Sequence, residues 1–426
     1  MRFIYVILGY LLIPVLLGHL LWRSRTNPEY RQRISERFGR GHARLPQPSI
    51  WVHAVSVGEI QAAAALVRAL LELYPTQPVV LTTVTPTGAQ RARELFGDAV
   101  VHSYAPFDLA GAVRKFFDWS RPKLLIVLET ELWPNLYHEC GRRDVPLVLA
   151  SARVSPKSVN RYRWMLSLFR QTLSHGIVIA AQSDADAKRF LALGADPQRT
   201  NVTGNIKFDF NLPADIEIDG AQFRQSHAPD RPVWIAASTH ASEEEIVLAA
   251  HRQVLDSFPN ALLLMVPRHP ERFQTVTSLT VKQGFSAVRR STGDDCTMDT
   301  EVFIGDSMGE LPVFYAAADI AFVGGSLVQV GGHNLLEPAA LGKPVLTGPY
   351  TYNAEDIARL LQDAGAARIV TDADELGEAV INLLGDAGER LRLGTLGRGV
   401  VDSNRGALDR LLTLIAPLVD QNAGAE

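Results

Sequence analysis

Cysteine is nearly absent from this sequence. Of 426 residues only Cys140 and Cys296 carry a thiol, and no His or Cys cluster stands near either, so neither a disulfide framework nor a zinc site follows from spacing. A reducing compartment fits that usage. An excess of positive charge is also absent. The formal net charge is −4, which argues against a general nucleic-acid binder, because such a protein is usually basic across a whole domain. Neither the glycine fingerprint of a dinucleotide-binding turn nor a P-loop occurs. What remains is ordinary globular composition, 47% hydrophobic and 21% charged, in a chain long enough for two domains of similar size.

The one departure from that composition lies at the start. From Phe3 to Trp22 the chain is apolar apart from His19, with Tyr5, Tyr10 and Trp22 at positions suited to a membrane interface. About 20 apolar residues is near the minimum for a spanning helix, and Pro14 weakens a straight one. Between Arg23 and Arg44 stand seven arginines against Glu29 and Glu36. Such a cluster gains roughly 1 kcal/mol per basic residue near an anionic leaflet and places the following domain in the cytoplasm. Residues 1–22 therefore read as a membrane anchor and 23–44 as a basic juxtamembrane segment. The alternative is a buried N-terminal helix followed by a solvated basic face. Run length and flanking charge favour the anchor, whether it spans the bilayer or dips into one leaflet.

Beyond residue 44, short aliphatic runs alternate with helical patterns. Ile50–Val55, Val79–Val84, Val100–Tyr104, Leu124–Leu128, Leu147–Ala150 and Ile177–Ala181 read as strands, and so do Val233–Ala237, Leu262–Val266, Val302–Ile304, Ile320–Val323 and Pro344–Leu346. Apolar strands separated by helices predict parallel sheets covered on both faces. The expected organisation is a Rossmann-like domain over 45–208, a linker over 209–231, and a second Rossmann-like domain over 232–426, the two facing a cleft. In such sheets ligands bind beyond the carboxyl ends of the strands, so the residues that follow each strand are the candidates for chemistry.

After the first strand comes Ser56-Val57-Gly58-Glu59. Gly58 would permit a tight turn, and a helix start offers N–H groups to an anion. Glu59 reads either as the far half of a capping box or as a base able to take a hydroxyl proton. Glu129 and Glu131 end the fourth run, where buried acids need partners; a solvated loop remains open for Glu131. Lys207, at the end of the first domain, could balance donor charge. In the second half, Arg268 and His269 follow a strand and suit phosphate oxygens. Gly305 to Leu311 leads into a helix start, and two glycine pairs, Gly324-Gly325 and Gly331-Gly332, would let backbone approach a ligand. Glu337 could bind ribose hydroxyls, or serve Asn334 as a cap partner. Asp184-Ala185-Asp186 and Asp372-Ala373-Asp374 imitate a metal-binding Asp-x-Asp but sit where helices begin, so capping explains them.

Taken in order, His53 to Glu59, Thr85 to Gly88, Glu129 to Asn135, Gly204 to Asp209, Pro267 to Arg272, Gly305 to Leu311 and Gly331 to Glu337 resemble the bacterial 3-deoxy-D-manno-octulosonic acid (Kdo) transferases of lipopolysaccharide synthesis. That family has the GT-B glycosyltransferase fold, and the resemblance covers nearly the whole chain. It implies an α/β protein of two doubly wound domains that transfers Kdo from CMP-Kdo to a lipid A precursor, inverting the anomeric centre without metal or other cofactor. By position, it implies Glu59 as the base, and Glu129 and Lys207 as stabilisers of the transition state. It also implies Arg268, His269, Gly309, Glu310, Leu311, Asn334, Leu335, Leu336 and Glu337 as the CMP-binding set. The expected partners are the donor, the lipid acceptor and the bacterial inner membrane, with the catalytic domains on the cytoplasmic side and no nucleic acid. A GT-B enzyme using a UDP-sugar, a nucleotide-sugar epimerase, and a membrane-tethered scaffold without turnover are the competing readings.

Overall fold

A computed structural model describes residues 2–129, 131–154, 166–173 and 176–420. The chain forms two compact units, Met1–Phe210 with Arg405–Glu426, and Asn211–Asn404. Each is built on a seven-stranded sheet whose strand pairs are all parallel.

The first sheet comprises β1 (Ser49–His53), β2 (Val79–Thr83), β3 (Val101–Tyr104), β4 (Pro122–Leu128), β5 (Leu147–Ala152), β6 (Val178–Ala181) and β7 (Thr200–Val202), in the order β3-β2-β1-β4-β5-β6-β7. Both faces of β1 are covered. Ile50 and Val52 join a core with the helices Val57–Leu73 and Ala407–Asp420, while Trp51 points to the other face with Phe116, Phe117 and Phe190. This two-sided burial is why the central strands read as unbroken apolar runs rather than alternating ones. The order reverses between β1 and β4, which makes their carboxyl ends the place where such a sheet opens to ligands.

The second sheet comprises β8 (Val233–Thr239), β9 (Leu262–Pro267), β10 (Ala287–Arg289), β11 (Val302–Ile304), β12 (Ile320–Val323), β13 (Val345–Thr347) and β14 (Ala367–Ile369), in the order β10-β11-β9-β8-β12-β13-β14. Its reversal falls between β8 and β12.

Three expectations change. The helix Ala407–Asp420 belongs to the first unit, not to a domain running from 232 to the end: Leu411, Ile415 and Val419 fill the first unit's core, and Asp209 accepts hydrogen bonds from the N–H groups of Gly406 and Leu408 at 2.6 Å each. The segment expected as a linker contains the helix Ile216–His227, which packs on Leu311–Ala317 so closely that a Cβ at Gly220 would stand 2.4 Å from Ala316 Cβ. The expected single anchor helix is a pair, Arg2–Leu11 and Ile13–Arg23, bent by 47° at the step before Pro14. No single described helix is long and apolar enough to cross a membrane.

One side of that pair is fastened to the first unit. The Tyr5 hydroxyl donates to Asp108 Oδ2 at 2.8 Å, and the Gly111 N–H donates to the Tyr10 hydroxyl at 3.0 Å. The rest presents Phe3, Leu11, Val15 and Trp22 to solvent. Of the seven arginines from Arg23 to Arg44 two are structural: Arg37 is buried, donating to the Val84 carbonyl at 2.8 Å and lying over the Tyr104 ring, and Arg33 donates to the His102 carbonyl at 2.7 Å. Arg23, Arg25, Arg31, Arg40 and Arg44 are exposed.

Candidate active site

Glu59 stands in the first turn of the helix that follows β1, and the capping interaction is present. Ser56 Oγ accepts the Glu59 N–H at 3.4 Å, while the carboxylate reaches back to the Val55 N–H at 2.6 Å and to the Ser56 hydroxyl at 3.3 Å. Burial nevertheless raises the Glu59 carboxyl to about 7; the Val55 N–H works against this, and the charges of Glu129 and Glu131 add to it. A carboxyl poised near neutrality is suited to exchange a proton. Gly58 is not needed for a turn. It lies inside the helix, and a Cβ there would meet nothing nearer than Ser56 Oγ at 3.9 Å.

Beyond β4, across the reversal point, Glu129 holds a positive φ of 55°, a costly conformation for a side chain other than glycine. Its carboxylate receives Lys207 Nζ at 2.5 Å and Arg153 Nε at 3.3 Å. The strand end and these two cations together hold it in place. Lys207 belongs to the turn Ile206–Phe208, whose first N–H donates to Ser151 Oγ at 3.1 Å; Asn205 Oδ1 accepts the Lys207 N–H at 3.0 Å. Glu131 accepts from Trp133 Nε1 at 2.7 Å, and burial raises its carboxyl above the ordinary range. It is therefore not a solvated loop acid. Glu59, Glu129, Glu131 and Lys207 form one electrostatically linked group.

In the second unit, Arg268 and His269 follow β9, and the Arg268 guanidinium has no side-chain hydrogen bond or ion pair among the described residues. His269 lies 5.3 Å from His240, which follows β8, and His240 Nε2 lies 2.8 Å from His333 Nε2. Three imidazoles and a free arginine thus gather beyond the strand ends at this sheet's reversal. The glycine pairs serve this packing rather than offering amides. The N–H groups of Gly325, Ser326 and Leu327 donate to the buried Glu243 carboxylate at 2.7, 3.1 and 2.9 Å, and those of Gly331 and Gly332 donate to the Gly325 carbonyl.

Glu310 precedes the helix Leu311–Ala317 and is held by Arg290 at 2.7 Å, which lowers its carboxyl; Gly309 beside it has a φ of 88° and open space around it. Asn334 Oδ1 accepts the Leu336 N–H at 3.0 Å, and its amide donates to Glu337 Oε1 at 3.0 Å. Glu337 therefore supports Asn334 instead of capping backbone itself, and burial raises its carboxyl. Leu335 and Leu336 are buried. Both Asp-x-Asp pairs are helix starts as expected: Ser183 and Asp372 cap their helices, accepting from the Asp186 and Glu375 N–H groups. Arg153 and His240 were missed by the sequence reading, although the rule that singled out the other candidates applies to them, since each follows a strand.

Two parallel α/β sheets of this kind make a GT-B-like fold. A putative UDP-N-acetylglucosamine 2-epimerase from Listeria monocytogenes superposes with a TM-score of 0.56, covering 89% of this chain and 98% of that one at 15% identity. A glycosyltransferase from Rickettsia africae does so with a TM-score of 0.54, 88% and 99% covered, at 14% identity. Residues 297–400 match the glycosyl transferases group 1 family, and residues 32–210 match the 3-deoxy-D-manno-octulosonic-acid transferase (kdotransferase) family. The 3-deoxy-D-manno-octulosonic acid transferase of Haemophilus influenzae is 46% identical over 424 residues, 99% of each chain. That of Bordetella pertussis is 37% identical over 413 residues, 92% of this chain and 94% of the other. The chain belongs to the 3-deoxy-D-manno-octulosonic acid transferases.

Proposed function

We propose that this transferase moves Kdo from CMP-Kdo to a hydroxyl of a lipid A precursor, with inversion, at the cytoplasmic face of a bacterial inner membrane. The observation that carries the proposal is the Glu59 carboxyl, placed beyond β1 and raised to about 7 by burial. Glu59 takes the proton of the acceptor hydroxyl as that oxygen attacks the anomeric carbon. Positive character grows on the sugar during that step, and Glu129, fixed by Lys207 and Arg153, supplies negative charge that does not need to reorganise. The departing phosphate gathers negative charge, for which the unpaired Arg268 and His269 are suited.

Asn334 with Glu337, Gly309 to Leu311, and Leu335 with Leu336 are assigned to the rest of the nucleotide. The exposed apolar side of the two N-terminal helices, with the five exposed arginines after them, attaches the protein to an anionic membrane surface and favours an acceptor bearing phosphates and acyl chains. Incubating the full-length protein with CMP-Kdo and a tetraacylated disaccharide bisphosphate tests this. Mass spectrometry should find the acceptor heavier by Kdo, and CMP but not UDP should inhibit. Inhibition by UDP alone, or no product, would reject the proposal.

A further inference from the structure

His240 and His333 meet beside the free arginine of the second unit. Their Nε2 atoms are 2.8 Å apart, and their rings meet edge to edge and nearly coplanar, with 4° between planes and 5.1 Å between centroids. A bond between two imidazole nitrogens requires one protonated and one bare, so the pair shares a single Nε2 proton, while neither Nδ1 has a partner among the described residues. Gly325 makes the pair possible. With a φ of +69°, it passes so close that a Cβ would stand 2.9 Å from His333 Nε2 and 3.4 Å from His240 Cδ2.

The charged surroundings are uneven. Arg268 and His269 face the pair from the end of β9, and Arg272 is neutralised by Glu244 at 2.9 Å. The Glu243 carboxylate lies beside His240, but its oxygens are engaged by four backbone N–H groups, that of His240 among them. Burial first, and then the neighbouring charges, lower both imidazoles from their ordinary range, His333 to about 3.

We propose that His240 and His333 act as one proton-accepting pair that turns cationic when the phosphate of CMP enters, and so hold the leaving group more strongly as its negative charge grows. This rests on the assignment of the donor phosphate to Arg268 and His269. The proton comes from solvent and adds to the bare Nδ1 of the ring whose Nε2–H donates. The Nε2–H···Nε2 bond survives, both Nδ1 atoms then carry a proton for phosphate oxygens, and no bond of the nucleotide is altered. The phosphodiester group of the donor carries one negative charge, and the phosphate of CMP close to two. A pair that charges in response therefore favours the state after cleavage over the bound donor, which is the differential binding that catalysis requires.

Titration calorimetry of CMP into the full-length protein, at about pH 7.5 where CMP is mostly a dianion, in buffers of different ionisation enthalpy, counts the protons taken up. Wild type should take up a measurable fraction of a proton per CMP, and bind more tightly as pH falls. His240→Gln and His333→Gln keep a hydrogen-bonding side chain but cannot charge. Each should bring the uptake close to zero, and lower kcat by about 10- to 100-fold with a smaller change in the donor KM. Wild-type binding without proton uptake, or undiminished uptake in both variants, overturns the pair. Arg268→Ala separates the two levels: CMP binding as tight as wild type in that variant would instead remove the phosphate site on which the pair depends.

Discussion

Desolvation of Glu59 outweighs the Val55 N–H and the Ser56 hydroxyl, and the nearby acids push in the same direction. A base with its carboxyl at about 7 is protonated and idle below that pH, so kcat/KM should rise through about 7 in a pH profile. Glu131→Gln removes one of the raising charges; the rising limb of its residual activity should move to lower pH, and an unmoved limb would detach Glu131 from the base. The same shift has a stability consequence. A carboxyl raised on folding contributes fully below its unfolded value of 4.5 and loses that contribution as pH rises through about 7. Glu59→Gln should therefore melt about 3 °C higher than wild type near pH 8, the shift that ~1 kcal/mol produces in a domain of this size. That gain should vanish below about pH 4.5.

The elements most legible in the sequence are those buried on both faces. The interior strands stand out because Ile50–Val52 or Leu262–Val266 must be apolar on either side. The three strands that left no signal, β7, β10 and β14, are three-residue strands, each at the edge of its sheet, where Thr200, Asn201, Arg289 and Arg368 are compatible with partial exposure. Placement of Glu59 and Glu129 was legible from the strand-end rule, and Lys207 stood out only by its position at the end of the first domain. The roles of the glycines were not, because what lies against Gly325 is a pair of histidines from two separate loops, His240 after β8 and His333 after β12. Nor could periodicity assign the last helix, whose apolar stripe fits any core. Its membership in the first unit carries a test: removing residues 405–426 exposes the cavity left by Leu411, Ile415 and Val419. At ~1.5–3 kcal/mol for each buried aliphatic side chain, calorimetry should find the first unit unfolded or melting far lower, with CMP binding by the second unit retained.

At the scale of the whole molecule, the first unit carries the acids and the attached N-terminal helices, and the second carries the imidazoles and the free arginine. Replacing Phe3, Leu11, Val15 and Trp22 by serine should abolish flotation with vesicles containing anionic lipid, while transfer to a soluble, deacylated acceptor continues. Flotation equal to wild type would mean that this apolar side is not what binds the membrane. The account as a whole stands on one carboxylate doing chemistry rather than only closing a helix. The most direct measurement is the single-turnover rate of Glu59→Gln with CMP-Kdo and the lipid acceptor, read beside its affinity for CMP. The predicted result is a rate lower by about 10²- to 10⁴-fold at unchanged CMP affinity; a rate within a few-fold of wild type would contradict it.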